Sequence, residues 1–288
     1  GQLFPHDLVK PIVCDACFHH IETSSDNICE KTELLDKQWK DICEKTFDYT
    51  NDTFSNTLVM VDTSGSMITN NFLPISVAIA MGIIVSENCG NCFKDMIMTF
   101  DSHPELVSLK DAQSFYEKVN MVLKIPWGYN TNLFAAFEKV VEISLKYNVE
   151  TLPNLMIVSD MQFDQACSAT TDVMYEQIQK YVSTVSATNS LECVKNWKMP
   201  KIIFWNVNAK TKGFPVKANT PNTILVSGFS PSLLKNVFSE KYTEEETPEQ
   251  VVRTILDDEN FEIIYDALSD LKYGKFATYQ KYPVLEEN

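Results

Sequence analysis

The chain has 288 residues, and its 24 Lys and Arg against 39 Asp and Glu give a formal charge of −15 at pH 7. A hydrophobic content of 44% and an aromatic content of 11% are typical of a globular protein and exclude a wholly disordered chain. The acidic excess repels phosphate, which disfavours nucleic-acid binding through a broadly basic surface.

The N-terminal part of the chain, residues 1–52, is mixed in composition and predicts irregular chain with one or two helices. The amphipathic stretch over residues 34–47 is the clearest helical segment. The first residues lack the basic and apolar regions of a secretory signal, and no run of about eighteen apolar residues predicts a membrane span. We therefore expect a cytoplasmic or nuclear protein that is not secreted and has no membrane partner.

From residue 57 onward, short apolar runs alternate with amphipathic segments. The predicted strands cover residues 57–62, 95–101, 106–109, 154–160, 201–207 and 223–227. The predicted helices cover residues 73–88, 112–123, 133–147, 171–186 and 231–239. Short, fully apolar strands separated by helices indicate parallel strands that are buried on both faces. Too few residues separate the second strand from the third for a helical crossover, so the third strand should return antiparallel at an edge.

This pattern predicts an α/β fold: an open, mostly parallel six-stranded sheet with one antiparallel edge strand and helices on both faces. We expect an N-terminal helical and irregular extension over residues 1–52, the α/β domain over 53–240, and a C-terminal helical extension over 241–288 that packs on the domain. In the last of these, the sequence Thr-Pro-Glu-Gln at 247–250 has the form of a capping box and predicts the start of a helix.

Eight cysteines include two Cys-x-x-Cys pairs, Cys14 with Cys17 and Cys89 with Cys92. Structural zinc would require the two pairs to converge, or the first pair to recruit a further ligand, and the spacing matches no zinc motif. The candidates for that further ligand are His19, His20, Cys29 and Cys43. Neither pair opens a helix after a strand, which disfavours a redox function. We expect reduced, mostly structural thiols.

Three loops that follow predicted strands or precede a predicted helix carry oxygen donors. Asp62, Ser64 and Ser66 form the pattern D-x-S-x-S after the first strand, Thr131 precedes the third long helix, and Asp160 ends the fourth strand. Open α/β sheets bind ligands at the carboxyl ends of their strands. Two carboxylates and three hydroxyls are hard ligands that suit Mg²⁺ or Mn²⁺ rather than zinc.

These residues, in this order, resemble the metal-ion-dependent adhesion site of von Willebrand factor type A domains, with a resemblance that covers about residues 55–240. The resemblance implies a Rossmann-like fold and a non-catalytic protein that binds a protein partner or ligand through the metal. It implies that Ser64, Ser66 and Thr131 contact the ion directly or nearly so, and that Asp62 and Asp160 act directly or through water. An acidic residue of a protein partner would fill the last position.

A narrower resemblance rests on five short segments. They are LFPHDLV at 3–9, WGYNT at 127–131, SDMQFD at 159–164, IFWN at 203–206 and VSGFS at 226–230. These segments are similar to a family of plants, fungi and large DNA viruses whose type A domain resembles that of the Ro autoantigen. Members usually carry a long helical region before the domain, so we expect this chain to be the C-terminal part of a longer protein. The Cys-x-x-Cys pairs are not part of that family's pattern.

Residues around the predicted ion are expected to form a rim that contacts the partner. They are Trp127, Tyr129, Asn130, Asp164 and Asn206. Each site residue also has a structural alternative. Asp62 and Ser64 would fit a turn or a helix cap, and Thr131 would fit a helix N-cap. His103 is expected on a surface turn before the edge strand.

Two other classes of function stay open at this point. A metal-dependent hydrolase or phosphoryl-transfer enzyme needs a positioned base or nucleophile and usually a phosphate loop. The sequence contains no G-x-x-x-x-G-K-[ST], G-x-S-x-G or H-E-x-x-H motif, and His103 is the single histidine of residues 53–240. An RNA-binding component, which the similarity to the Ro autoantigen implies, is disfavoured by the acidic charge. The sequence favours a binding protein over an enzyme, and leaves the partner and the oligomeric state open.

The expected redox state of the thiols is directly measurable. Thiol titration in denaturant under non-reducing conditions should report close to all eight cysteines as free. A reproducible shortfall of two or four would contradict this expectation and would indicate disulfides or tightly retained zinc.

Overall fold

A six-stranded mixed sheet lies at the centre of the chain, in a computed structural model that describes residues 3–18, 25–46, 55–125, 132–161, 171–208 and 220–228. The chain divides into two units, Gly1–Lys241 and Tyr242–Asn288, and the second lies wholly outside the described residues. The helix predicted at 231–239 and the C-terminal extension predicted over 241–288 also lie outside them.

The strands are β1 Thr57–Val61, β2 Met96–Thr99, β3 Leu106–Ser108, β4 Asn154–Ser159, β5 Ile202–Asn206 and β6 Thr223–Ser227. Their order in the sheet is β3-β2-β1-β4-β5-β6. All neighbours are parallel except β2 and β3, which pair antiparallel across the short turn between them. The predicted α/β fold with one antiparallel edge strand is therefore confirmed.

The helices are α1 Pro5–Phe18, α2 Ser25–Thr46, α3 Thr69–Asn88, α4 Phe115–Leu123, α5 Leu133–Lys146, α6 Thr171–Thr188 and α7 Glu192–Lys195. The predicted helices at 73–88, 112–123, 133–147 and 171–186 are confirmed with small shifts at their ends. Regular α3 begins after residue 72, since Asn70, Asn71 and Phe72 all have positive φ. The α4 helix begins at Phe115 because the Ser114 side chain caps it by accepting the amide of Glu117.

Alternate side chains along each strand enter two separate apolar layers. In β4, Met156 and Val158 lie in the first layer, which α1, α2, α3 and α4 cover. Leu155 and Ile157 lie in the second layer, which α5, α6 and α7 cover. Because both faces of the sheet are buried, its strands are continuously apolar, and polar side chains are left to the strand ends.

The two N-terminal helices share the first apolar layer with the sheet. Trp39 of α2 is 6% exposed, and its ring stacks on that of Phe115 with 4.1 Å between centroids. The Trp39 indole N–H donates to Glu87 at 3.2 Å, and Glu87 also forms an ion pair with Lys118 at 2.7 Å. Asp36 accepts the backbone amide of Phe115 at 2.7 Å. These contacts join α2 to the ends of both α3 and α4.

The cysteines whose side chains the structure describes are not in disulfides: Cys14, Cys17, Cys43, Cys89, Cys92 and Cys193. No group of three or more His, Cys, Asp or Glu side chains in the described part of the chain is placed to hold a metal ion. Among the described side chains, neither Cys-x-x-Cys pair is therefore brought together with the other pair or with a further ligand of this kind.

One described segment, Gly65–Asn88, contains an 18-residue window that is apolar enough to cross a membrane. Of that window, 72% is buried inside the protein, which is typical of the core helix of a globular domain. The segment is apolar on average, although it contains no unbroken run of about eighteen apolar residues.

The approach of α3 to β1 yields a stability prediction. A Cβ on Gly82 would lie 2.5 Å from Cγ2 of Val61 and 3.3 Å from Cδ1 of Ile97. Gly→Ala within a helix usually stabilises by about 1 kcal/mol. Here overpacking should reverse the sign, and Gly82→Ala should lower the free energy of unfolding by about 1–3 kcal/mol in urea denaturation.

A second glycine provides the control for that substitution. A Cβ on Gly90 would meet no atom closer than Cβ of Ser55 at 3.5 Å, so Gly90→Ala should change stability much less. A Gly82→Ala variant as stable as the native chain would show that α3 does not contact β1 this closely.

Candidate functional site

The candidate site lies at the carboxyl edge of the sheet, between β1 and β4. The strand order reverses at this point, because the chain continues from β1 to β2 on one side and from β4 to β5 on the other. Open α/β sheets leave a ligand-binding crevice at such a switch point. Val61 pairs with Val158, and the amide of Asp62 donates to the Val158 carbonyl at 3.0 Å. Asp62 and Asp160 therefore leave their strands side by side.

The carboxylate of Asp62 is 2% exposed, and both of its oxygens accept a hydrogen bond. Oδ1 accepts the backbone amide of Ser64 at 2.8 Å. Oδ2 accepts the hydroxyl of Ser159 at 2.6 Å. The two bonds come from different loops and fix the plane of the carboxylate.

The hydroxyls of Ser64 and Ser66 lie next to this carboxylate in the chain and are partly exposed. Their oxygens are 3.0 Å apart. Neighbouring ligand oxygens on an octahedral Mg²⁺ with bonds of about 2.1 Å are about 3 Å apart, so this spacing fits two ligands of one ion. The loop is held by a short 3₁₀ helix, Gly65–Ile68, whose buried Met67 anchors it in the first apolar layer. Ser64 precedes that helix but makes no side-chain capping bond, so its hydroxyl is not used as a cap.

Asp160 adds a second carboxylate at 0% exposure. Burial raises the pKa of Asp62, hydrogen bonds from Ser159 and Ser64 lower it in part, and the charge of Asp160 raises it further. A divalent cation between the two carboxylates would offset their repulsion. The donor set of carboxylate and hydroxyl oxygens thus fits the Mg²⁺ or Mn²⁺ that the sequence predicts.

Several predicted residues lie outside the described residues: Thr131, Trp127, Tyr129, Asn130 and Asp164. Asn132, which follows this gap, donates its amide to the carbonyl of Asp101 at 3.2 Å, at the end of the strand next to β1. The side chain of Asn132 accepts the amide of Ala135 and is the N-cap of α5. The alternative role of Thr131 as the N-cap of this helix is therefore taken by Asn132.

Two other polar residues follow strands at this edge. Asn206 is only 2% exposed, and its side-chain oxygen accepts the amide of Asn208 at 2.9 Å. Asn206 lies at the end of β5 beneath the surface, and its place in the rim stays a prediction. His103 lies on the surface turn between β2 and β3 as predicted, where its Nδ1 is 3.1 Å from the hydroxyl of Ser102.

The structure adds one residue that the sequence did not identify as part of the site. Ser159 ends β4 at 0% exposure, with its hydroxyl on Asp62. The amide of Met161 donates to the same hydroxyl at 3.0 Å, and Met161 has a positive φ of 60°. The sequence shows only that a serine directly precedes Asp160. Its hydrogen bond to Asp62 depends on the register between β1 and β4.

Over residues 56–272 the chain matches the family described as "Domain of unknown function (DUF7788)". The range contains all five predicted metal ligands and begins after α2. The chain is also similar to "Uncharacterized protein L728" of Acanthamoeba polyphaga mimivirus, at 29% identity over 239 residues. That alignment covers 82% of this chain and 37% of the viral protein, so the chain spans well under half the length of this relative.

The burial of Asp62 yields a prediction for protein in chelator. Because the pKa of this carboxyl is raised on folding, the folded state binds more protons than the unfolded state above about pH 4. The free energy of unfolding therefore falls as the pH rises from the unfolded pKa of this carboxyl towards its raised folded pKa. Burial of the charged Asp62 carboxylate is unfavourable. Asp62→Asn should raise the free energy of unfolding at pH 7 in chelator by about 0.5–2 kcal/mol.

Denaturation in urea with chelator present measures this effect. The exposed Asp111 is the control, and Asp111→Asn should change stability by less than about 0.5 kcal/mol. A less stable Asp62→Asn variant would mean that the Ser64 and Ser159 hydrogen bonds outweigh the cost of burial.

Proposed function

We propose that this chain, which belongs to the family described as domain of unknown function (DUF7788), is a non-catalytic protein that binds its partner through a metal ion. Asp62, Ser64, Ser66, Thr131 and Asp160 would hold one Mg²⁺ or Mn²⁺, in the manner of the adhesion site of a von Willebrand factor type A domain. The observation that carries the proposal is the 3.0 Å spacing of the Ser64 and Ser66 hydroxyls beside a buried carboxylate at the switch point.

The electrostatics of the edge support a divalent ion there. Asp62 and Asp160 bring two negative charges into a buried position, and the ion would contribute two positive ones. Asp62 accepts hydrogen bonds from Ser64 and Ser159, and an ionised carboxylate has about four lone-pair positions, so the Asp62 carboxylate can still contact the ion or a water on it. The strand order supports a type A domain, since its switch point lies between the two strands that carry these carboxylates.

The partner that we propose presents a Glu or Asp side chain to the ion. An octahedral ion with few protein ligands keeps an open position that accepts an anionic oxygen. The chain charge of −15 repels polyanions, so RNA is disfavoured and a single carboxylate on a protein surface is favoured. The loop with Trp127, Tyr129 and Asn130, together with Asp164, would form the rim of this contact.

A metal-dependent hydrolase is the competing function. It would need a general base beside the ion. The histidine of the described α/β region, His103, is exposed and hydrogen-bonded to Ser102 within its own turn, and the serines at the site contact each other and Asp62. This arrangement supports binding over catalysis.

A metal titration tests the site itself. Chelator-treated protein should bind one Mn²⁺ or Mg²⁺ in calorimetry, and Asp62→Ala and Ser64→Ala should each weaken that binding by about tenfold or more. Asp111→Ala, at an exposed carboxylate that follows the antiparallel edge strand β3 and is not among the predicted ligands, should bind as the native chain does. Native affinity in both site variants would contradict the assignment of ligands.

A capture experiment tests the binding function. Partner proteins retained by the immobilised chain in Mg²⁺ should be lost in chelator and lost with Asp62→Ala, since the partner's carboxylate would then have no ion to bind. Substitution of one acidic residue on the captured partner should also abolish the complex. Capture that persists in chelator, or turnover of a phosphoester by the purified protein in Mg²⁺, would overturn the proposal.

A further inference from the structure

We propose that Ser159 is a positioning residue of the metal site, which holds the Asp62 carboxylate in the orientation that the ion requires. The inference rests on the proposed function and adds to it a residue outside the five predicted ligands. Ser159 would act through Asp62 and would not touch the ion.

The direction of the Ser159 hydrogen bonds follows from their chemistry. The backbone N–H of Met161 is a donor only, so the Ser159 oxygen must accept it at 3.0 Å. The single hydroxyl proton of Ser159 is then free for Asp62, whose Oδ2 lies 2.6 Å away. This distance is typical of a charge-assisted O–H···O⁻ bond, which is about twice as strong as a neutral one.

Asp62 is held from both sides as a result. Ser64 donates to Oδ1 from the loop after β1, and Ser159 donates to Oδ2 from the end of β4. Without the hydrogen bond from Ser159, the Asp62 carboxylate could rotate about its Cβ–Cγ bond and turn away from Ser64 and Ser66. Hydrogen-bond partners of metal ligands commonly change metal affinity by about 10–100-fold when they are removed.

The backbone after Ser159 supports this role. Met161 is a non-glycine residue with φ of 60°, a left-handed conformation that costs about 1–2 kcal/mol. Its side chain is 8% exposed and lies in the second apolar layer. Strained backbone of this kind persists when its surroundings fix it, and it is concentrated at functional sites. The same turn contains Asp160, so Ser159 links the segment that carries the second carboxylate to the first one.

Another buried serine shows that a hydroxyl in this protein can be buried without such a role. Ser144 of α5 is 0% exposed, and its Oγ has no hydrogen-bond partner among the described residues. Ser144→Ala is therefore a matched control for the loss of a buried hydroxyl.

The test is a titration of Mn²⁺ alone into chelator-treated protein, read by calorimetry and by the rise in Tm that the metal produces. Ser159→Ala should weaken Mn²⁺ binding by about 10–100-fold. Ser159→Thr keeps the hydroxyl and should restore affinity to within about threefold of native. Ser144→Ala should bind Mn²⁺ as the native chain does.

The outcomes separate this inference from the proposed site. If Asp62→Ala loses Mn²⁺ while Ser159→Ala keeps native affinity, the site stands and the positioning role of Ser159 is overturned. Equal losses in Ser159→Ala and Ser159→Thr also overturn it, because only one of them lacks the hydroxyl. If Asp62→Ala binds Mn²⁺ normally, the proposed site itself fails. Should Ser159→Ala not fold, Ser159→Cys decides: its weaker S–H donor should give intermediate affinity, and native affinity would overturn the role.

Discussion

Burying the carboxylate of Asp62 beside that of Asp160 costs free energy, because each loses hydration and each repels the other. Hydrogen bonds from Ser64 and Ser159 offset part of that cost, yet the pKa of Asp62 stays raised. A fold without another use for this edge would gain stability from neutral side chains there. Under the proposed function, a bound cation would offset this cost, and the protein would be less stable without the metal than with it.

The sheet makes this concentration of charge possible. Its strands are buried on both faces, so polar groups collect where the strands end, and the order of strands brings the ends of β1 and β4 together. The packing behind the site is close, as the contact that a Cβ on Gly82 would make with Val61 shows. Val61 directly precedes Asp62, so the packing of Val61 under α3 also fixes the position of the Asp62 carboxylate at the edge of the sheet.

Most of the sheet and its main helices could be predicted from the sequence, because runs such as residues 57–61 and 154–159 are apolar without alternation. The antiparallel direction of β3 could be predicted from the short connection between β2 and β3, which leaves no room for a helical crossover. The ends of α1 could not be predicted, because Pro11 interrupts its apolar pattern. The α7 helix is too short to show the periodic spacing of apolar residues that identifies a helix. Both are fixed by the layers they pack against, which no local pattern reveals.

The proximity of Asp62, Ser64 and Ser66 in the candidate site could be predicted from the sequence, because the three residues lie within one short loop. Ser159 could not be identified this way, because its contact with Asp62 crosses 97 positions of sequence and depends on the β1–β4 register. The surroundings of Asn206 also depend on the fold: this residue ends β5, and its side-chain oxygen accepts the amide of Asn208 beneath the surface.

The central claim is that one divalent ion binds at the carboxyl edge between β1 and β4. Anomalous scattering from crystals grown in Mn²⁺ tests it most directly, because the ion is located without reference to any partner. We expect a single strong peak about 2.1 Å from the hydroxyl oxygens of Ser64 and Ser66, with both Asp62 and Asp160 in contact with the ion or its waters. A peak at the Cys14 and Cys17 thiols, or no peak at this edge, would contradict it.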